Sequence, residues 1–205
     1  MSHYYDKDPN VESHKETFKY HYHQNELNLV TDVGVFSKGK IDFGSDLLVR
    51  TFLKEHPPGP SKTIVDVGCG YGPIGLMIAK VSPHHQIIML DVNHRALDLA
   101  KENSEKNHID NVTILESDGL AEVQDDSCDM VVTNPPIRAG KSVVHGILED
   151  AYEKLKADGE LYVVIQKKQG MPSAKKKMEA VFGNVETLTK AVSYTHLTLP
   201  TTPYV

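Results

Sequence analysis

The sequence is poor in the features that mark secreted disulfide-rich domains and membrane proteins. Its 205 residues include two cysteines and no tryptophan. Cys69 and Cys128 lie in unrelated contexts, so no disulfide framework is predicted. No apolar run approaches the roughly 18 residues that a membrane-spanning helix needs, and the polar stretch 1–16 does not resemble a signal peptide. These absences predict a cytoplasmic protein that does not span a membrane.

The chain also has no excess of positive charge. Its formal net charge is −6, with 40% hydrophobic and 24% charged residues, which is ordinary for one globular domain. An acidic balance excludes a basic surface extending over the whole chain. Any contact with nucleic acid is therefore expected to come from a local basic patch.

The N-terminal third is predicted to contain a β-hairpin followed by a helix. Residues 1–16 are expected to form a mobile leader, and residues 17–190 a single domain. Phe18–His23 and Leu27–Thr31 alternate apolar and polar residues, which predicts the hairpin. After a glycine-rich loop at 34–44, Ser45 is predicted to cap a helix that ends near His56.

From Thr63 onward, strand patterns alternate with helix patterns. Short apolar strands imply burial on both faces, as in a parallel sheet, and right-handed crossovers then give a Rossmann-like, doubly wound α/β fold. The predicted strands are Thr63–Val67, Gln86–Asp91, Val112–Glu116, Cys128–Thr133, Glu160–Gln166 and Val185–Thr189. The predicted helices are Pro73–Lys80, Ala96–Asn107, Val143–Lys156 and Ser173–Phe182.

A glycine-rich turn follows the first of these strands and opens the next helix. The segment 65–75 reads VDVGCGYGPIG, and glycines allow a tight turn and close approach of a ligand to the backbone. Because Gly70, Gly72 and Gly75 also satisfy the dinucleotide fingerprint, the glycines alone leave both NAD and S-adenosylmethionine (SAM) open.

Three acidic residues at successive strand ends favour SAM. Asp91 ends the second strand, where a carboxylate can accept hydrogen bonds from ribose hydroxyls. Asp118 follows the third strand and can meet an adenine amino group. Asp66 precedes the glycines, where a carboxylate suits the methionine ammonium of SAM but would repel the pyrophosphate of NAD.

The segment Asn134-Pro135-Pro136-Ile137 follows the fourth strand and predicts methylation of a planar amine. Prolines fix the backbone and remove hydrogen-bond donors. The Asn134 amide and a proline carbonyl can both accept hydrogen bonds from one NH₂ group. Accepting both protons directs the nitrogen lone pair toward an electrophilic methyl group.

Together with Val35-Phe36-Ser37 and Asp42-Phe43-Gly44, these motifs resemble the small-domain class I SAM-dependent methyltransferases. The RsmC-like enzymes, which methylate guanine N2 in small-subunit ribosomal RNA, are the most similar group. The resemblance covers roughly residues 17–190 and implies a seven-stranded sheet whose last strand is antiparallel. It implies that Gly68, Gly70, Asp91 and Asp118 line the SAM pocket and that Asn134 and Pro135 hold the target amine. The residues predicted to bind the cofactor are Asp66, Gly68, Cys69, Gly70, Gly72, Asp91, Asn93, Asp118 and Asn134.

The substrate side is predicted to combine apolar and basic residues. Pro136 and Ile137 would offer the base an apolar surface, and Phe36 or Phe43 would close the pocket. Arg138, Lys141, Lys167 and Lys168 follow two strands whose carboxyl ends share one edge, so phosphate contact is predicted there. No metal site is expected, because neither His21 with His23 nor His84 with His85 has a third ligand at suitable spacing.

The predicted partner is ribosomal RNA or the small ribosomal subunit, and three alternatives stay open. A protein glutamine methyltransferase would use the same asparagine and prolines on a side-chain amide. An NAD-dependent oxidoreductase would share the glycine turn. A non-catalytic RNA-binding module would keep the fold without the reaction.

The C-terminal stretch 191–205 breaks the pattern of the domain. It carries no charged side chain, and the run from Ser193 to Pro200 resembles a translated transposon adapter. We therefore expect a non-native tail, with the final antiparallel strand missing or replaced.

Overall fold

The computed structural model describes residues 11–57, 59–190 and 194–200. Within these ranges it contains nine strands, five α-helices and one short 3-10 helix at Ile137–Ala139. The strands are β1 Glu16–Tyr22, β2 Asn25–Thr31, β3 Thr63–Val67, β4 Gln86–Asp91, β5 Val112–Glu116, β6 Cys128–Thr133, β7 Leu155–Gln166, β8 Glu186–Lys190 and β9 Tyr194–Pro200. The helices are α1 Phe43–Glu55, α2 Pro73–Val81, α3 His94–Lys106, α4 Lys141–Lys154 and α5 Met171–Phe182.

The predicted doubly wound α/β fold is confirmed. β1 and β2 form the expected antiparallel hairpin, and the other strands form one sheet in the order β5-β4-β3-β6-β7-β9-β8. All neighbours from β5 to β7 are parallel. The strand order reverses between β3 and β6, and in such sheets ligands bind in the crevice at the carboxyl ends beside that point.

The hydrophobic core occupies both faces of the sheet. Met130 and Val132 in β6 pack with α1, α2, α3 and the hairpin, whereas Val131 between them packs with α4 and α5. This alternation follows the two-residue period of a strand. Burial on both faces explains why these strands are continuously apolar.

The last antiparallel strand is present, so the expectation of a missing strand was wrong. Residues 194–200 form β9, which pairs antiparallel with β7 on one side and β8 on the other. A ladder is made by backbone groups, which every residue except proline supplies in full. Threonine and tyrosine also have high strand propensity. An unusual sequence can therefore fill the position between β7 and β8, and a foreign origin of residues 191–205 stays a prediction.

The α1 helix begins earlier than predicted and has a different cap. Asp42 is the N-cap, and its Oδ1 accepts a hydrogen bond from Ser45 N at 3.1 Å. Ser45 lies inside the first turn and is buried. Aspartate and serine are both good N-caps, so the sequence alone did not separate them.

Part of the predicted leader is attached to the domain. Asp32 accepts hydrogen bonds from Ser13 Oγ at 2.6 Å and from His14 N, and Arg95 donates to the Val11 carbonyl at 2.7 Å. Residues 1–10 lie outside the described residues. The described domain therefore begins at least six residues before position 17.

Asn103 of α3 and Asn107, the C-cap of the same helix, hold the hairpin against the domain. Asn103 accepts from Val30 N at 2.7 Å and donates to Val30 O at 2.9 Å. Asn107 makes the same pair of bonds with Asn28 at 2.8 and 3.0 Å. Residues four apart on a helix share one face, so the two amides satisfy alternate backbone groups along the edge of β2.

Candidate active site

A cavity of about 570 Å³ opens at the carboxyl edge of the sheet. Its walls come from the ends of β3, β4, β5 and β6, the loop before α1, and one side of α4. The lining residues that carry polar groups or bare backbone are Asp42, Ser45, Gly68, Cys69, Gly70, Tyr71, Asp91, Ser117, Asp118, Gly119, Asn134, Gly146 and Asp150. The cavity therefore joins the glycine turn to the asparagine–proline segment in one space.

The glycine turn presents bare backbone to this cavity. Gly68 and Gly70 have φ angles of +72° and +58°, and a Cβ added at either residue would meet nothing within 4 Å. The N–H groups of Gly68 and Cys69 donate to the Leu90 carbonyl at 2.8 and 2.9 Å. These bonds tie the turn to the end of β4 and keep the open side free for a ligand.

Gly72, predicted to bind the cofactor, lies outside the cavity lining. A Cβ at this residue would come within 2.8 Å of both Leu76 and Met89, and its φ is +95°. The glycine is needed for the left-handed turn into α2 and for close packing. Its part in the site is to shape the turn.

Asp91 is held in place by two backbone donors. Its Oδ2 accepts from Gly70 N at 2.8 Å and its Oδ1 accepts from Asn93 N at 2.9 Å. Burial raises the pKa of this carboxyl, although the backbone N–H groups of Asn93, Gly70 and Val92 act in the opposite direction. Each oxygen keeps lone-pair capacity, so the side chain can still accept hydroxyl donors from the cavity.

Asp118 lines the cavity and is exposed; its contact with adenine stays a prediction. Asp150 of α4 lines the same cavity and was missed by sequence reasoning. On a helix its position is typical of the solvent-facing side. Only the packing of α4 against the sheet brings it to the cavity.

Asp66 is fully buried and does not line the cavity. Its Oδ2 accepts from Gly75 N at 2.9 Å, in the first turn of α2. Within the described part of the chain, its Oδ1 has no hydrogen-bond partner. Burial raises the pKa of Asp66 to about 7, partly opposed by the Gly75 bond. The Asp66 side chain therefore stabilises the start of α2, next to the glycine turn, and does not face the cavity.

Asn93 is also buried outside the cavity lining. Its Oδ1 accepts from Ala96 N at 3.0 Å and caps α3. Its Nδ2 donates to the Gly34 carbonyl at 3.1 Å. Asn93 thus links the end of β4 to the loop that carries Val35 and Phe36 over the cavity.

The Asn134 side chain has a defined orientation. Its Nδ2 donates to Asp42 Oδ1 at 3.2 Å and to Ser45 Oγ at 3.1 Å. An ionised carboxylate only accepts hydrogen bonds, so the amide nitrogen must face Asp42. The amide oxygen is left as the acceptor that Asn134 can offer to a ligand. Asp42 and Ser45 were not predicted as site residues.

The two prolines form a tight turn and not a pair of free carbonyls. Pro135 O accepts from Ile137 N at 2.8 Å, and Pro136 O accepts from Ala139 N at 2.9 Å. A carbonyl oxygen has two lone pairs, so Pro135 O can accept one further hydrogen bond. Both prolines line the cavity beside Asn134.

Residues 26–198 match the model of the methyltransferase small domain family. The chain belongs to this family. An uncharacterised protein of Bacillus subtilis, YbxB, is 47% identical over 193 residues, which are 94% of each chain.

Several relatives of this chain have ribosomal RNA in their names, and two of them serve as examples. The ribosomal RNA small subunit methyltransferase C of Hahella chejuensis is 35% identical over 67% of this chain and 40% of its own length. The ribosomal RNA large subunit methyltransferase G of Photobacterium profundum is 30% identical over 78% of this chain and 43% of its own length. The chain thus spans less than half the length of these two relatives.

The fold is also that of a solved methyltransferase. The T. thermophilus 16S rRNA N2 G1207 methyltransferase (RsmC), in complex with AdoMet and guanosine, superposes with a TM-score of 0.83 at 24% identity. The superposition covers 94% of this chain and 52% of the other. This likeness supports the family's α/β fold for the present chain.

The predicted substrate-side residues of this chain lie in different places. Phe36 lines the main cavity, whereas Phe43 is exposed and outside the lining. Ile137 and Lys141 line a second cavity, because the turn after Pro136 points them away from the first. The other three predicted phosphate-contact residues are exposed and line neither cavity: Arg138, Lys167 and Lys168.

No described helix has both the length and the apolar character needed to cross a membrane. No group of three or more histidine, cysteine, aspartate or glutamate side chains is arranged to hold a metal ion in residues 11–57, 59–190 and 194–200.

Proposed function

We propose that this chain is a SAM-dependent N-methyltransferase that methylates the exocyclic N2 of a guanine in small-subunit ribosomal RNA. The orientation of Asn134 carries the proposal. Its amide nitrogen is bound by Asp42 and Ser45, which leaves the oxygen for a substrate amine. Family membership of residues 26–198 argues against the oxidoreductase alternative.

The residues around the glycine turn fit SAM. Bound SAM supplies a methyl group activated by a positively charged sulfur. Gly68 and Gly70 leave space for it against the backbone, since a Cβ at either position would point into the open cavity. The Asp91 oxygens can accept from ribose hydroxyls, and Asp118 lies where it can meet the adenine amino group.

The asparagine–proline segment accounts for the choice of an amine. Asn134 Oδ1 and the remaining lone pair of Pro135 O accept the two N–H groups of a planar amine. The nitrogen lone pair is then directed away from both acceptors, toward the glycine turn. Alignment of the two reactants is the main contribution of the protein, and Phe36 and Pro136 offer apolar surface to the base.

The names of the relatives support a ribosomal guanine as the substrate more strongly than the shape of the cavity does. One relative is named for the small subunit, one for the large subunit, and the solved RsmC is described with guanosine. Arg138, Lys141, Lys167 and Lys168 give the carboxyl edge local positive charge in a chain whose net charge is −6, and such side chains can contact phosphates.

The test is transfer of a labelled methyl group from SAM onto naked ribosomal RNA, isolated small and large subunits, and total protein. Nucleoside analysis of the product should give N2-methylguanosine from small-subunit RNA. Label in large-subunit RNA alone would move the target to the other subunit. Label in protein alone would overturn the RNA assignment and favour a glutamine side chain.

Asn134→Ala should abolish methyl transfer and leave SAM affinity nearly unchanged, because the variant loses the amine acceptor and keeps the glycine turn and Asp91. Turnover and calorimetric SAM titration measure the two effects separately. A parallel loss of both would make Asn134 a structural residue.

A further inference from the structure

A second cavity lies beside the main one at the carboxyl edge of the sheet. Its volume is about 230 Å³. It lies between the start of α4, the end of β7 and the start of α5. Its lining residues are Ile137, Lys141, Val144, His145, Ile165, Gln169, Gly170, Ser173 and Ala174.

The two cavities share one wall. Pro136 and Ala139 line the main cavity, whereas Ile137 and Lys141 line the second. Likewise α4 presents Val143 to the first cavity and its neighbour Val144 to the second. A helix with its side chains is about 10 Å across. The two cavities are therefore close enough for neighbouring nucleotides of one extended RNA strand to occupy both.

The lining of the second cavity suits a nucleobase with a polar edge. Ile137, Val144 and Ile165 provide apolar surface. His145 Nε2 and Ser173 Oγ are 3.0 Å apart and form a polar group on one side. Burial, with Lys141 and Lys177 nearby, lowers the pKa of His145 and so favours the neutral imidazole, which can both donate and accept hydrogen bonds.

The surroundings of the second cavity suit a phosphate. Lys141 is exposed and has no ion-pair partner among the described residues. Arg138 and Lys168, next in sequence to the lining residues Ile137 and Gln169, are likewise exposed and without an ion pair in the described ranges. The acidic side chain Glu149 on α4 is paired with Lys177. The positive charge near the cavity is therefore not neutralised by an ion pair among the described residues, and it can attract a phosphate.

We propose that the second cavity binds a nucleotide that flanks the target guanine in single-stranded RNA, with its base against Ile137 and Val144 and its phosphate at Lys141. This inference rests on the proposed function. It also accounts for Ile137, which points away from the reacting amine. Unstacked bases of single strands are the usual objects of RNA recognition by proteins.

The proposal is tested by comparing a guanine-centred trinucleotide, UpGpU, with guanosine as ligands of the protein saturated with S-adenosylhomocysteine. The wild type should bind UpGpU at least tenfold more tightly. Ser173→Leu fills the second cavity and should reduce UpGpU binding to the guanosine level, with guanosine and SAM affinity retained. Retained SAM affinity also establishes that the variant is folded.

Lys141→Ala tests the phosphate contact separately. The slope of log K for UpGpU against log salt concentration should become shallower by about 0.7, the value for one phosphate contact on a single strand. Lys176→Ala is the matched control, since this lysine is exposed on α5 and outside the cavity lining. Its slope should equal that of the wild type.

Equal affinity of the wild type for UpGpU and guanosine would overturn the second site. So would a Ser173→Leu variant that still prefers UpGpU. In either case labelled methyl transfer onto ribosomal RNA would still support the proposed function. Absence of that transfer would instead remove the proposed function, and the flanking site with it.

Discussion

The Asn134 amide owes its orientation to a residue 92 positions away in the chain. A carboxamide can rotate so that its oxygen and nitrogen exchange places, and the two orientations differ only in their hydrogen bonds. Asp42 accepts and does not donate, so it selects one orientation. Asp42 is thus a positioning residue for the amine acceptor, as well as the cap of α1.

Asp42→Asn tests this positioning. Asparagine keeps the capping oxygen, but its own amide can also donate to Asn134 and so permits the reversed orientation. We expect kcat to fall by about tenfold, equivalent to ~1.4 kcal/mol, with little change in SAM affinity or melting temperature. An unchanged kcat would show that Asp42 only caps the helix, and a lower melting temperature would point to a lost cap.

Asp66 gives the protein a specific pH dependence of stability. Its pKa is about 7 in the folded protein, against an ordinary value of 3.8. Between these values the folded state holds a proton that the unfolded state has lost. The stabilisation associated with Asp66 is therefore complete below about pH 4 and is lost as the pH rises to about 7.

Asp66→Asn should remove this loss of stability with rising pH, because the amide stays neutral at every pH and can still accept a hydrogen bond from Gly75 N. The free energy of unfolding of the variant, relative to wild type, should rise between about pH 4 and pH 7 by up to ~4 kcal/mol. Denaturant titrations at several pH values measure it. Asp129→Asn is a control of opposite sign: the Asp129 pKa is lowered, burial being outweighed by bonds from Thr63 and Lys156.

At the scale of the element, one residue of the glycine turn, Gly68, meets both a backbone requirement and a space requirement. Gly68 has a left-handed φ and also faces the open cavity. Gly183, which ends α5, has a similar φ of +78° and equally open space, but it lies outside both cavity linings. Comparing the same substitution at Gly68 and at Gly183 therefore separates the effect of backbone strain from the effect of interference with a ligand.

Gly68→Ala and Gly183→Ala should each lower the free energy of unfolding by about 1–2 kcal/mol, because both place a Cβ in the left-handed region. Only Gly68→Ala should also weaken SAM binding, by about tenfold, since its methyl group enters the cavity. Thermal melts and calorimetry give both quantities. Equal SAM affinity in the two variants would argue against cofactor contact at Gly68.

The elements themselves were largely predictable from sequence. The strands from β3 to β6 have the predicted bounds, because short apolar runs between turn residues are a local signal. Helix starts were less accurate: α3 begins at His94 and α4 at Lys141. Helix ends depend on caps, and several residues near each end could serve.

At the scale of the whole molecule, β9 completes the sheet. Without it, β7 and β8 would each have an unpaired edge, and such edges promote aggregation. This strand also links the last helical unit, α5 and β8, to the rest of the sheet. Its contribution is made by the backbone ladder, whatever the origin of its sequence.

A chain ending at residue 190 should therefore be less stable than the full chain by several kcal/mol and should aggregate on heating. A chain ending at Pro200 is the matched control, because it keeps β9, and it should melt like the full protein. Thermal melts followed by light scattering compare the three. Equal melting temperatures for all would show that the sheet is stable without β9.

The sequence by itself determined the fold class, the hairpin, the glycine turn and the asparagine–proline segment. These depend on local patterns: strand and helix periodicity, glycine at left-handed positions, and prolines that fix the backbone. Topology then follows, because parallel strands with right-handed crossovers leave few arrangements. The carboxyl ends of those strands had to meet at one edge.

Only the tertiary structure decided which side chains of each motif face the cavity. Gly68 and Gly70 face it and Gly72 does not. Asp66 lies beneath the turn, and Ile137 faces the second cavity. The direction of a side chain in a turn depends on how distant segments pack around it, and packing is set by contacts that local sequence patterns do not encode.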